Sequence, residues 1–407
     1  MKVGLVGAKL GHSYSKIIHE RLYDCNYQLF EKDEDSLKEM LLKKDFDAIN
    51  VTIPYKQFVI DFCDVIDEKA TAIHAVNAIV KKNGKLYATN TDFDGLKKLI
   101  QDAKIEIEGK TCCILGTGGT SNTAKAVLQD MKARQIYIAG RNKTHPIIGY
   151  QDLEQYQDIQ IFVQTTSVGM YPNNDEQIID LVKFKNLEAI IDVVYNPLQT
   201  KICQQAEALG IRHINGLKML VAQAKAAAEF FLDQKIPDEK VEAIYQQILK
   251  QQRNLVLIGM PASGKSTIGK LLSEKSGRKL IELDEEIEKA MKMTIPEIFE
   301  KLGEDKFREM ETIIAKKYAK ENNLVISCGG GIILKDENMK ALKQNGLIIE
   351  LMRKSYAVGN GRPLNSSVEK IKEMEKIRRP LYDKYRDVQV DNQQDIATTM
   401  KQLEKYL

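Results

Sequence analysis

Features typical of membrane, secreted or nucleic-acid-binding proteins are scarce in this chain of 407 residues. No apolar run approaches the roughly 18 residues of a membrane-spanning helix, and polar residues follow the start too soon for a secretory signal. There is no long basic block and the formal net charge is only +3, so nucleic acid is not an expected partner. The six cysteines form no CxxC pair, which indicates free thiols in a reducing cytoplasm rather than disulfides or zinc.

What the chain does contain is a regular alternation of strand-like and helix-like segments. Short apolar runs occur at 5–7, 48–53, 111–115, 136–139, 161–164 and 189–194. This rhythm predicts an α/β fold with mostly parallel sheets. Apolar spacing predicts a helix over 216–232, followed by a polar helix over 237–250. The apolar segment 254–258 then predicts the first strand of a second fold.

Two glycine-rich loops of different spacing each follow an apolar strand and precede a helical segment. The first, Gly116 to Ser121, has the spacing of a loop that holds a dinucleotide pyrophosphate. The second, Gly259 to Ser266, matches the P-loop pattern G-x-x-x-x-G-K-S. Small residues are needed in both because backbone N–H groups must approach phosphate oxygens closely. The sequence therefore predicts two nucleotide sites and two active sites.

The first loop favours NADP(H) over NAD(H). The loop residues expected to contact the cofactor are Gly116, Thr117, Gly118, Gly119 and Thr120. NAD-specific sites place an acidic residue about 20 positions further on, to hold the ribose 2′-hydroxyl. Here the next strand runs into Arg141, which would accommodate a 2′-phosphate. The alternative is a solvated basic turn.

Residues 1–250 carry a series of motifs in the order found in shikimate dehydrogenases. The motifs are GHSYS (11–15), NVTIPYK (50–56), AVNAI (75–79), NTDFDG (90–95), TTSVGM (165–170), DVVYNP (192–197) and NGLKMLVAQA (215–224). This part of the chain therefore resembles a shikimate dehydrogenase. The resemblance implies a two-lobed fold, with a substrate domain formed by 1–93 and 215–237 and a Rossmann-type NADP-binding domain at 94–214.

The same resemblance implies roles for individual residues. Lys56 would be catalytic together with Asp92. The residues implied to bind substrate are Ser13, Ser15, Thr52, Asn77, Asp92, Tyr195 and Gln223. Val193 and Gly216 would approach the nicotinamide.

The chemistry of Lys56 and Asp92 suits a ketone reduction. A lysine ammonium can donate a proton to the ketone oxygen, and a neighbouring carboxylate favours the charged ammonium. Each residue also has an ordinary interpretation: Lys56 as an exposed lysine, and Asp92 as part of a helix start within a Thr91-x-x-Asp94 capping box.

The rest of the chain, about 251–390, resembles a shikimate kinase. Beyond the P-loop it contains IELDEEIE (281–288), FEKLGEDKFREME (299–311), SCGGG (327–331), GRPL (361–364) and RRPLY (378–382). The resemblance implies a P-loop kinase domain with a parallel sheet over 254–407. A linker helix at 238–253 is expected to precede it.

Roles in this second site follow from the P-loop and from the resemblance. The residues expected to bind ATP are Ala262, Ser263, Gly264, Lys265, Ser266, Thr267 and Arg362, and Ser266 would also ligate Mg²⁺. The residues implied to bind the acceptor are Asp284, Arg308, Gly330 and Arg378, with Asp284 also taking the proton of the attacking hydroxyl. Ala262 stands at a position that is usually glycine.

Together these features predict a bifunctional enzyme that reduces 3-dehydroshikimate with NADPH and then phosphorylates shikimate with MgATP. Two alternatives stay open: the P-loop module is an inactive ATP sensor, or the first substrate is quinate. The expected partners are small molecules, without nucleic acid or membrane, and the oligomeric state is left open.

Overall fold

A computed structural model describes residues 1–11, 14–353 and 368–407 and shows an α/β protein. The chain divides into two compact units. The first comprises 1–195 and 200–247, and the second comprises 196–199 and 248–407. The division falls within a helix that covers most of the predicted linker. No helix in the described ranges combines the length and apolar character needed to cross a bilayer.

The first sheet of the first unit has six strands in the order β2-β1-β3-β5-β6-β4. Its elements are β1 (Val3–Gly7), α1 (Ser15–Leu22), β2 (Tyr27–Glu31), α2 (Glu34–Lys43), β3 (Ala48–Val51), β4 (Val65–Ile66), α3 (Glu68–Ile73), β5 (Ala78–Lys82), β6 (Lys85–Thr89) and α4 (Thr91–Asp102). Strand β5 runs antiparallel to β3 and β6, and the other neighbours are parallel. Side chains that follow β1 and β3 therefore meet at one edge of the sheet.

The second sheet has six strands in the order β12-β11-β10-β7-β8-β9, and all neighbours are parallel. Its elements are β7 (Thr111–Leu115), α5 (Gly119–Asp130), β8 (Gln135–Gly140), β9 (Ile148–Gly149), β10 (Ile161–Gln164), β11 (Ala189–Asp192), α6 (Lys201–Ala208) and β12 (Arg212–Ile214). Strand β7 is buried at every residue, as the apolar run TCCIL predicts. Because β7 and β8 are neighbours, the loop after β7 and Arg141 after β8 lie at the same sheet edge.

Two helices follow the second sheet, α7 (Leu217–Leu232) and α8 (Asp238–Gln252). Helix α7 packs closely along α4, since a Cβ at Gly95 would lie 2.8 Å from Gln223 Cβ and 2.9 Å from the Met219 carbonyl oxygen. Glycine at this position allows the two helices to approach. Gln223 is thereby held beside the start of α4.

The second unit contains a five-stranded parallel sheet in the order β14-β15-β13-β16-β17. Its elements are β13 (Asn254–Ile258), α9 (Lys265–Ser276), β14 (Lys279–Glu282), α10 (Leu283–Met291), α11 (Ile295–Ala319), β15 (Leu324–Ser327), α12 (Asp336–Lys343), β16 (Gly346–Met352), α13 (Val368–Tyr385), β17 (Val388–Asp391) and α14 (Ile396–Leu403). Helix α11 changes direction at Gly303, where φ is 82°. The P-loop connects the central strand β13 to α9.

Two predicted strands are shorter than expected. The segments 48–53 and 189–194 leave their strands after Val51 and Asp192. After β11, the Asp192 carboxylate accepts the N–H of Val194 at 3.0 Å, a local turn that competes with the strand ladder. After β3, the chain turns so that the Tyr55 N–H donates to the Thr52 carbonyl at 3.0 Å. Both turns lead directly into candidate site residues.

Candidate active sites

A cavity of about 280 Å³ in the first unit gathers most of the predicted dehydrogenase residues. It lies where residues after β3 and β11 meet the first turns of α1, α4 and α7. The predicted residues among its lining are Ser15, Thr52, Lys56, Asn77, Asp92, Thr120, Val193, Tyr195, Gly216 and Gln223. Ser13 lies outside the described residues.

Lys56 and Asp92 form an ion pair in this cavity. The Lys56 Nζ atom lies 2.6 Å from Asp92 Oδ2, and the two side chains are 30% and 19% exposed. Both side chains are therefore accessible to water or to a ligand in the cavity. Asp92 also sits in the first turn of α4, but the cap is Asn90, whose side chain accepts the Asp92 N–H at 3.1 Å. The interpretation with Thr91 as the cap of a capping box is wrong.

Asn77 and Gln223 are tied to the start of α4. The Asn77 Oδ1 atom accepts the Thr91 N–H at 2.7 Å. The Thr91 hydroxyl lies 3.2 Å from the same oxygen and 3.4 Å from Gln223 Oε1. Gln223 Nε2 donates to the Leu220 carbonyl at 3.0 Å. These bonds fix the side-chain amides that border the cavity.

Asn50 is a cavity residue that the sequence analysis did not single out. Its Oδ1 atom accepts the Tyr27 hydroxyl at 2.7 Å, and its Nδ2 atom donates to the Asn77 carbonyl at 3.2 Å. Its place in the NVTIPYK segment was the available signal. Another lining residue, Tyr195, has its pKa raised by burial, so its hydroxyl stays protonated near neutral pH.

The dinucleotide loop between β7 and α5 has the backbone that such a site needs. Gly116 has a φ of 122°, and a Cβ there would lie 2.7 Å from Thr165 Oγ1. Gly118 caps α5 and has no side chain. A Cβ on Gly118 or Gly119 would meet nothing within 4 Å, so the space above the helix N-terminus is open to a phosphate group. The loop thus fits a pyrophosphate.

Two further positions frame the cofactor side of the first unit. A Cβ at Gly216 would come within 2.0 Å of the Val193 carbonyl oxygen, so only glycine fits against this turn. Arg141 is exposed immediately after β8. Its side chain can therefore reach a ligand group at the sheet edge.

The P-loop of the second unit borders a separate cavity of about 300 Å³. Its lining includes the predicted residues Ala262, Ser263, Gly264, Lys265, Ser266, Thr267, Asp284 and Gly330. Lys265 Nζ donates to the carbonyls of Gly259 at 2.9 Å and Met260 at 3.0 Å. Arg362 lies outside the described residues. Glu282 and Arg353 also line the cavity.

Arg308 and Arg378 lie against the glycine turn that borders this cavity, although neither contributes to its lining. A Cβ at Gly331 would be 2.3 Å from Arg308 Nη1. Arg378 Nη1 donates to the Gly330 carbonyl at 3.0 Å. The Tyr382 hydroxyl donates to the same oxygen at 3.0 Å, so two side chains of α13 hold this carbonyl.

Two glutamates hold the Arg308 guanidinium. It donates to Glu311 Oε2 at 2.9 Å and to Glu304 Oε1 at 3.0 Å. Burial opposes the charge of Arg308, but these carboxylates raise its pKa. Burial also raises the pKa of Glu311, against the opposing effect of Arg308. Glu311 is the last residue of the FEKLGEDKFREME segment (299–311), and no role was predicted for it.

The first site thus has the geometry of a nicotinamide-dependent reductase, and the second that of a P-loop phosphotransferase. Two family models match the chain: the shikimate dehydrogenase substrate binding domain over residues 5–79, and shikimate kinase over residues 261–407. The chain belongs to the shikimate dehydrogenase family and carries a shikimate kinase domain in its C-terminal part. It is a bifunctional enzyme of the shikimate pathway.

Relatives of the first part are similar over nearly their full length. A shikimate dehydrogenase (NADP(+)) of Clostridium perfringens strain 13 is 36% identical over 263 residues, which cover 60% of this chain and 97% of the relative. The structure of shikimate dehydrogenase 1 from Peptoclostridium difficile matches at 32% identity and a TM-score of 0.55, covering 61% of this chain and 98% of that one. The structure of a chorismate mutase/shikimate 5-dehydrogenase fusion protein from Clostridium acetobutylicum matches at 33% identity and a TM-score of 0.57. The match covers 60% of this chain and 96% of that one.

Proposed function

We propose that the first unit reduces 3-dehydroshikimate to shikimate with NADPH. We further propose that the second phosphorylates shikimate to shikimate 3-phosphate with MgATP. The observation that carries the first proposal is the Lys56–Asp92 pair, 2.6 Å apart within a cavity of about 280 Å³. The observation that supports the second is the group of buried charged residues beside the P-loop cavity, Arg308, Glu311 and Arg378.

In the reductase site, NADPH would supply the hydride. The Lys56 ammonium would donate the proton to the ketone oxygen and stabilise the charge that develops there. Asp92, which accepts a hydrogen bond from Lys56 Nζ at 2.6 Å, would orient the ammonium. The hydroxyls and amides of Ser15, Thr52 and Asn77 would bind the polar groups of the substrate.

NADP(H) is the proposed dinucleotide because the acid of an NAD site is missing and Arg141 is exposed at the end of β8. The relative from C. perfringens carries NADP(+) in its name, which supports the same choice. The open loop at Gly118 and Gly119 would accept the pyrophosphate, and Val193 with Gly216 would border the nicotinamide.

In the kinase site, MgATP would supply the phosphoryl group. Lys265 would neutralise phosphate charge, and Ser266 would ligate Mg²⁺. Asp284, which lines the same cavity, would hold the acceptor hydroxyl and take its proton. Arg308 and Arg378 would bind the acceptor carboxylate through their planar guanidinium groups.

An inactive ATP-sensing module would have no need for groups that bind an acceptor. Glu311, Arg308 and Arg378 are all buried, and burying such charges is costly unless they are held in a defined arrangement. This burial supports an active kinase rather than a sensor. Assays with both compounds decide between shikimate and quinate for the first unit.

The deciding experiment supplies the full chain with 3-dehydroshikimate, NADPH and MgATP, without other enzymes. Shikimate 3-phosphate should form, with free shikimate appearing transiently. Isotope-labelled shikimate added to the solution should be captured. Accumulation of shikimate without its phosphate ester would support the sensor alternative. In the reverse assay with NADP⁺, faster oxidation of quinate than of shikimate would reassign the first substrate.

A further inference from the structure

Asn392, at the carboxyl end of the strand next to β16, lies beside the P-loop in the second unit. It follows β17 directly and is 6% exposed. Its N–H donates to the carbonyl of Met352, the last residue of β16, at 2.8 Å. The backbone at Asn392 is therefore fixed at the carboxyl ends of β16 and β17.

The side chain of Asn392 connects the P-loop to α14. Its Nδ2 atom donates to the Ser263 carbonyl at 2.7 Å. Its Oδ1 atom accepts the Thr399 hydroxyl at 2.9 Å. The amide orientation follows from chemistry, because a carbonyl oxygen can only accept and must face the NH₂ group.

The loop is shaped around this amide. A Cβ on Gly264 would lie 2.6 Å from Asn392 Nδ2, so the next loop residue can only be glycine while Asn392 keeps its position. Gly264 also has a φ of 89° and caps α9, the helix that begins at Lys265. Asn392 thus contacts the loop at the two residues that precede the phosphate-binding lysine.

Ala262, one residue before Ser263, has a φ of 63°. This left-handed conformation is unfavourable for a residue with a Cβ and persists only where surrounding contacts enforce it. Glycine would adopt it without strain. The hydrogen bond from Asn392 to Ser263 is one of the contacts next to this residue.

We propose that Asn392 is a positioning residue that holds the P-loop in its phosphate-binding shape and offsets the unfavourable backbone of Ala262. This inference rests on the proposed nucleotide site. It adds that the loop depends on a side chain about 130 residues away in sequence. Asn392 itself contacts loop backbone.

Two measurements on the full chain test the proposal. The rate of hydrogen–deuterium exchange at residues 259–268, measured without nucleotide, shows how firmly the P-loop backbone is held. Calorimetric titration with MgADP measures nucleotide affinity. The variants are Asn392→Ala, Ala262→Gly and the double variant, with Lys401→Ala on the exposed side of α14 as the control. Asn392→Asp has nearly the same shape and still accepts from Thr399, so it covers the case in which Asn392→Ala fails to fold.

Asn392→Ala and Asn392→Asp should each speed exchange in the loop and weaken MgADP about 5- to 10-fold, as expected for one buried hydrogen bond. The Kd of shikimate should stay within twofold of the wild-type value, and so should the reductase activity. Ala262→Gly should recover at least half of the lost affinity in the Asn392→Ala background. In the wild-type background it should change affinity less than threefold.

Unchanged loop exchange and MgADP affinity in both Asn392 variants would overturn the proposal. If Ala262→Gly changes MgADP affinity equally in the wild-type and Asn392→Ala backgrounds, Asn392 does not offset the unfavourable backbone of Ala262. If the wild-type chain binds no MgADP while the variants still speed exchange, the nucleotide function fails and the positioning role stands. The two failures are therefore distinguishable.

Discussion

Lys56 in the first unit and Arg308 in the second are both paired with carboxylates, but the two pairs differ in burial. Lys56 and Asp92 are 30% and 19% exposed, whereas Arg308 and Glu311 are 11% and 1% exposed. A proton donor must be replenished after each turnover, which requires access to water. A guanidinium that binds a carboxylate needs a fixed plane, which burial and two glutamates provide. The burial of each pair therefore suits its proposed chemistry.

The largest effect should come from breaking the more exposed of the two pairs, Lys56 with Asp92. Lys56→Ala should lower the rate of 3-dehydroshikimate reduction at least about 100-fold, because a positioned general acid contributes about 10²–10⁴-fold. Shikimate-dependent ATP turnover should not change. The control is Lys69→Ala, which breaks an ion pair to Asp94 of the same 2.6 Å length outside the cavity lining. Wild-type reduction by the Lys56 variant would make Lys56 structural.

Removing the buried pair should act on the acceptor rather than on the nucleotide. Arg308→Ala should raise the KM for shikimate at least about 30-fold, since truncating a buried charge pair costs about 2–5 kcal/mol. MgADP affinity measured by calorimetry should stay the same. Arg308→Lys keeps a counter-charge for Glu311 but not the planar fork, so it should restore folding without restoring the KM. Impaired MgADP binding in either variant would contradict this division of roles.

The first unit also contains a fully buried carboxylate, Asp192, which forms no ion pair with any cation among the residues that the structure describes. Burial raises its pKa from 3.8 to about 6, although Thr200 and Val194 hydrogen-bond to the charged form. The folded state thus binds the proton more tightly than the unfolded state. Protonation of Asp192 therefore contributes to the free energy of unfolding. This contribution is complete below about pH 4 and is lost as the pH rises through 6.

Asp192→Asn has no proton to lose. Relative to wild type, the variant should gain up to about 3 kcal/mol in the free energy of unfolding between pH 4 and pH 8. Denaturant titrations that follow the first unit at several pH values would measure this difference. A difference that does not change with pH would mean that Asp192 keeps an ordinary pKa in the folded protein.

The smallest effect is expected at the exposed Arg141. Arg141→Ala should reduce the preference for NADPH over NADH about tenfold, the lower part of the range for a hydrogen bond to a charged group. Lys143→Ala, in the same turn, is the control because Lys143 is paired with Asp152 at 3.0 Å. Equal efficiency of the two cofactors with the wild-type chain would refute the proposed role of Arg141.

The parts of the candidate sites that sequence reasoning found are those with a characteristic residue type at a characteristic spacing. Lys56 and Asp92 are 36 positions apart, yet their motifs suggested the pair that the structure shows at 2.6 Å. Glu311, Asn50 and Asn392 escaped because glutamate and asparagine are ordinary residues in helices and turns. Their importance comes from partners distant in the chain, which no local pattern reveals.

The sequence by itself determined the α/β class, the strands at 111–115 and 254–258, and the two phosphate loops, because glycine spacing and apolar runs encode backbone geometry locally. Only the tertiary structure decided where strands β3 and β11 end, which glutamates hold Arg308 and which side chain supports the P-loop. Those outcomes depend on burial and on hydrogen bonds across the sheet. Such contacts form between residues whose separation in sequence carries no periodic signal.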